Sequence, residues 1–90
     1  MNKETIDRLI NNSVRWLNTV DPNWLNKVNT KYLNMTHNCI LDQVFGKYET
    51  VIDNYPELKS KIDSRQYMFA SHTQEWKEKI DTLKRIRKVS

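Results

Sequence analysis

The stretch "CILDQVFGKY", Cys39 to Tyr48, holds the only cysteine and the only glycine of the chain. Its reading decides the fold. At 100° per residue with Cys39 at zero, Ile40, Leu41, Val44, Phe45, Tyr48, Val51, Ile52 and Tyr55 fall between about 100° and 240°. Asp42, Gln43, Gly46, Lys47, Glu49, Thr50, Asp53 and Asn54 take the complementary arc. The apolar stripe keeps its phase through Gly46, and a helix ending there would have no reason to do so. The pattern therefore predicts one helix over 38–54, capped by Thr36 or Asn38 and stopped at Tyr55-Pro56, because the residue before proline resists the helical region. An interior helical glycine costs roughly 1 kcal/mol relative to alanine. Three readings answer that cost: helix 1 or the last helix packs across the bare backbone, a partner docks on it, or the chain bends there.

Outward from this stretch the periodicity stays helical. Ile6, Leu9, Ile10, Val14, Trp16, Leu17 and Val20 share about 160° of arc, the width of a core-facing helix. Residues 3–19 are expected to form it, with Asn2 as N-cap and Glu4 paired to Arg8. Asp21-Pro22 signals a restart, and Trp24, Leu25 and Val28 make one short apolar turn. Residues 29–36 read as a loop that pins Tyr32, Leu33 and Met35 on the core. Pro56-Glu57 opens a short helix using Leu58 and Ile62, and 64–70 is an aromatic-rich connection. Ser71 and Gln74 have the spacing of a capping box for the last helix. Trp76, Ile80 and Leu83 face inward there, Ile86 drifts aside, and Val89 points away, so the final turn frays. The expected architecture is all-α, a compact single domain over 1–90 with four to five helices.

Ninety residues are too few for two cores, and 38% apolar with 29% charged residues fits a globular chain. No apolar run approaches the roughly 18 residues of a membrane span. Nothing at the N-terminus reads as a secretory signal, and one cysteine closes no internal disulfide, so a cytoplasmic setting is expected. The net charge of +4 is concentrated. Residues 1–76 hold nine basic and nine acidic residues, whereas 77–90 hold six and two. Such a tail suits a helix C-terminus, where the macrodipole favours cations, and it also suits nucleic acid. Lys77, Lys84, Arg85 and Lys88 are the residues for the second reading. Asp81 interrupts their stripe, and Asp81–Arg85 and Glu75–Lys79 are ordinary i,i+4 pairs.

Catalysis has little support. His37-x-Cys39 supplies two ligands that do not align on a helix face, so no metal is expected. Cys39 lacks a nucleophile motif around it and reads as a half-buried thiol at a helix start. One glycine excludes a glycine-rich phosphate loop, and no carboxylate pair stands out. The expectation is a non-enzyme without cofactor.

Trp16-Leu17, "YLNMTHNCILDQVFGKY" and "QEWKEKI" resemble a group of small proteins found in bacteria, phages and prophages. The shared core maps onto Leu33-Asn34-Met35, Cys39-Ile40-Leu41, Gln43-Val44-Phe45-Gly46 and Tyr48, about a third of the chain. Members often carry glycine at the position of Asp42, and some a further cysteine, which speaks against a common metal or redox role. The resemblance implies a mobile-element setting and brings no established activity. The function expected is a non-catalytic protein that docks on a host protein or ribonucleoprotein, for example as an anti-defence (anti-CRISPR-type) inhibitor. Asp42, Gln43, Gly46, Thr50 and Asp53 are its expected contact set. Nucleic acid through the basic tail is the alternative, a homodimer is a further partner considered, and no membrane is expected.

Overall fold

The computed structural model describes residues 1–89, with side chains described through Arg87. The described chain is all-α. Helix α1 spans Lys3–Val20, α2 Trp24–Lys27, α3 Ile40–Phe45, α4 Tyr48–Asn54, α5 Pro56–Asp63 and α6 Thr73–Val89, with a 3-10 turn at Thr30–Tyr32. The one antiparallel pairing among the described residues is an isolated bridge between Asn34 and Asn38.

Helix α1 starts as its sequence dictates: the Asn2 side chain accepts from the Thr5 amide at 2.8 Å. Leu9, Ile10, Val14, Trp16 and Leu17 are buried, with Ile6 and Val20 packed at the margin. Ser13 lies among them at 0% exposure. Its hydroxyl donates to the Leu9 carbonyl at 2.8 Å and accepts the Met68 amide at 2.8 Å, so one small polar group ties the 64–70 connection to α1. Trp16 is the hub of the aromatic core, meeting Tyr55 edge-on at 5.5 Å and Phe69 at 5.9 Å between ring centroids. Phe69 in turn stacks on Trp76 of α6 at 5.8 Å, and the Trp76 indole donates to the Met68 carbonyl.

The helix expected over 38–54 is broken. It forms α3 and α4, with Gly46 between them at φ +100° and ψ −60°. That conformation favours glycine, since a Cβ would meet its own backbone. Splitting this element turns the expected four to five helices into six among the described residues. The stripe survives the break because α3 and α4 each return to the same core. Ile40, Leu41 and Val51 are buried and Val44, Phe45, Ile52 and Tyr55 packed against them.

Smaller expectations also shift. Cys39, not Thr36 or Asn38, is the N-cap of α3. Tyr32 is 61% exposed with the Lys31 ammonium over its ring, whereas Leu33 and Met35 are buried. Pro22 occupies a turn ahead of α2, and Asp21 accepts the Asn23 amide and pairs with Lys27 at 2.6 Å. The Ser71–Gln74 capping box is not made: Ser71 bonds the His72 ring, and the His72 carbonyl accepts the first amide bond, from Trp76. The i,i+4 pairs Glu4–Arg8, Glu75–Lys79 and Asp81–Arg85 are not closed. Ile86 does drift outward, at 61% exposure, and the side chain of Val89 lies outside the described residues.

Candidate functional site

The α3–α4 elbow is organised by Asp42. One carboxylate oxygen accepts the Cys39 amide at 3.2 Å, the other the Tyr48 amide at 3.0 Å. Both amides belong to helix starts, where N–H groups lack intrahelical partners, and a carboxylate also complements the positive end of each helix. The Gly46 amide closes onto the Asp42 carbonyl at 2.9 Å. A single residue thus caps α3, ends it and starts α4.

Gln43 works in the opposite direction. Its carbonyl oxygen accepts the Asn29 amide at 2.8 Å, and its amide nitrogen reaches the Asn29 and Asn38 carbonyls at 3.4 Å each. It fastens α3 to the connection before it. Asp42 and Gln43 are therefore both engaged within the fold. Gly46, Thr50 and Asp53 face outward, and residues 46–50 form an exposed run. Among the described residues no atom beyond its chain neighbours lies within 4 Å of where a Gly46 Cβ would stand, so no described helix packs across it. The glycine is there for its φ angle.

Beside the elbow opens a cleft of about 540 Å³ whose lining includes His37, Cys39, Asp42, Tyr48 and Glu49. Burial pushes the Cys39 thiol up to about 11, although the Asp42 and Leu41 amides favour the thiolate. At neutral pH the sulfur keeps its proton, which makes it a poor nucleophile. Both Asp42 oxygens accept backbone amides, and among the described residues no histidine bonds either of them. Among the described residues no three His, Cys, Asp or Glu side chains converge as a metal site. Burial likewise raises the Tyr48 hydroxyl above its ordinary range.

The basic residues of α6 are not one free stripe. The Lys84 ammonium donates to the Val28 carbonyl at 2.8 Å, completing the C-terminus of α2. Arg85 reaches Thr82 and Arg87 reaches Asn26. Lys77 is half-buried, and the side chain of Lys88 lies outside the described residues. No described helix is long and apolar enough to cross a membrane.

Sequence reading missed Ser13 as a core residue and Asn29 as the partner of Gln43. Ser13 was findable, since it falls in the middle of the apolar arc of 3–19. Asn29 was not, because its bond to Gln43 joins residues that no local rule relates. Compared with protein-family models, curated proteins and solved structures, the chain matches none of them.

Proposed function

We propose that this chain is a non-catalytic binding protein that docks on a host macromolecule through the outer face of the α3–α4 elbow. The observation that supports this is the exposed run 46–50, held in place by the two Asp42 bonds and bare of side chain at Gly46. A fixed, protruding backbone loses little freedom on association, which favours docking. The protonated Cys39 thiol leaves the adjoining cleft without an activated nucleophile. The motif resemblance to phage and prophage proteins supports a host protein or ribonucleoprotein as the docked partner, and blocking a defence complex is the specific role proposed.

The roles of Asp42 and Gln43 are then positional, while Gly46, Thr50 and Asp53 make the contact. Capture from bacterial lysate with the wild type and with Thr50→Arg tests this. Thr50 is exposed, so the variant folds. A partner retained by the wild type and lost with Thr50→Arg is expected; equal retention removes the elbow from the contact surface.

A further inference from the structure

A second surface shows a different chemistry. Helix α1 and the segment after α5 enclose two adjoining basins, of about 780 Å³ and about 490 Å³. Arg8 and Arg65 line the first, Arg15 lines the second, and Tyr67 lines both. The Asn12 side chain donates to the Gln66 carbonyl at 3.1 Å and bridges the two walls between them. Among the described residues no Asp or Glu lines either basin.

The cause lies in the phase of α1. Thr5, Arg8, Asn12, Arg15 and Thr19 share the side of the helix that borders the trough; Asp7 lies well to one side of it, and Glu4 flanks its edge one turn before Arg8 without lining either basin. The Glu4–Arg8 pair stays open, and the side chains of Arg8 and Arg65 have no hydrogen-bond or ion-pair partner among the described residues. Arg15 holds only the Asn12 side-chain oxygen.

Arg65 adds a second oddity. Helix α5 ends in a Schellman turn, with the Gln66 amide on the Lys61 carbonyl at 2.9 Å and the Arg65 amide on Ile62 at 3.1 Å. Arg65 occupies the left-handed position, at φ 59°, which usually belongs to glycine. An arginine there costs backbone energy that a glycine would not, and its side chain is delivered to the mouth of the first basin.

We propose that this trough binds single-stranded nucleic acid, with Arg8, Arg65 and Arg15 on successive phosphates and the exposed part of the half-buried Tyr67 ring, which is itself held against Trp16 and Phe69, offered to a base. Arg8 and Arg15 are seven residues apart, about 10.5 Å along the helix, more than one phosphate spans and well within reach of a strand. Cationic grooves with an aromatic platform are how strands are held without reading sequence. The site is independent of the elbow, and it differs from the α6 basic face, whose Lys84 is already committed to Val28.

The test is fluorescence anisotropy with a labelled oligothymidylate of about 12 nucleotides. With three phosphate contacts, affinity should fall about 20-fold between about 50 and about 200 mM salt. Arg8→Gln should reduce the magnitude of the log–log salt slope by about 0.7. Arg65→Gly should do the same while leaving the fold intact, because glycine prefers that backbone conformation. Tyr67→Leu, which keeps apolar bulk, should weaken binding about tenfold. Absence of binding at low salt overturns the proposal. So does wild-type binding by Arg8→Gln and Arg65→Gly, the result expected if Lys77 and Arg85 of α6 hold the strand instead. Equal affinity for a duplex or for polyglutamate also overturns it, since charge alone would then explain the contact. Failure of the elbow in lysate capture leaves these readings unchanged, so the two surfaces are tested separately.

Discussion

Helix α1 and the α3–α4 pair carry apolar stripes of similar regularity, yet α1 runs unbroken for 18 residues and the pair is cut at Gly46. Their difference lies in what the polar side chains do. Along α1 the side chains leave the helix's own amide ladder alone: Asn2 caps its start, Ser13 and Thr19 donate back to carbonyls four residues earlier, and Asn12, Ser13 and Asn18 bond groups of other segments. In the elbow, the Asp42 side chain reaches past the end of α3 and accepts the Tyr48 amide, offering that donor a partner the continuous helix would have supplied from Val44. A stripe in phase shows which side chains meet the core. It does not show that the backbone between them is one helix, because two short helices folded over a two-residue elbow meet the same core.

The largest test of that contrast removes the carboxylate. Asp42→Ala should cost about 2–3 kcal/mol, because two helix-start amides lose a charged acceptor at once. Urea unfolding followed by tryptophan fluorescence measures it, and a cost near zero would mean that water replaces both bonds. The next test turns on sign. Gly46→Ala should destabilise by about 1–2 kcal/mol, since alanine resists φ +100° even though the space is empty. The matching change in α1, Asn11→Ala, should stabilise by about 0.5 kcal/mol through helix propensity alone. Stabilisation at both sites would restore a continuous helix over 38–54.

The effect confined to the narrowest range of conditions is in the pH dependence, since it is absent at neutral pH. The Cys39 thiol ionises near its ordinary 9.0 when unfolded and near 11 in the fold. The unfolded chain therefore loses its proton first, and stability falls as pH rises from about 9 towards 11 while this term stays flat below 9. Cys39→Ala should fall less steeply over that window, and a disulfide reagent at neutral pH should label native Cys39 far more slowly than unfolded protein. Fast native labelling would place the thiol outside the elbow's packing.

The same division runs through the candidate sites. Asp42 and Gln43 were legible as residues off the core, and their polarity suggested a contact face. Their destinations were not legible: Gln43 bonds Asn29 across 14 positions, and Asp42 binds an amide that is free only because the helix has already ended. Of the trough's three arginines, only Arg8 figures in the sequence reading, as the partner of Glu4, and Arg65 lies within a stretch read only as an aromatic-rich connection. That they border one trough without a carboxylate depends on where the segment after α5 lies, and Ser13 and Asn12 hold it there.

The residue order alone determined the helical class, the inward faces of α1 and α6, the proline-led start of α5 and the aromatic supply of the core. These follow from periodicity and from conformational limits that act within a few residues. Tertiary structure decided whether Gly46 sits inside a helix or between two, which carboxylate caps which amide, and which arginines gather. Those outcomes depend on competition for backbone donors and on packing between distant segments, and the winner is set only once the core has closed.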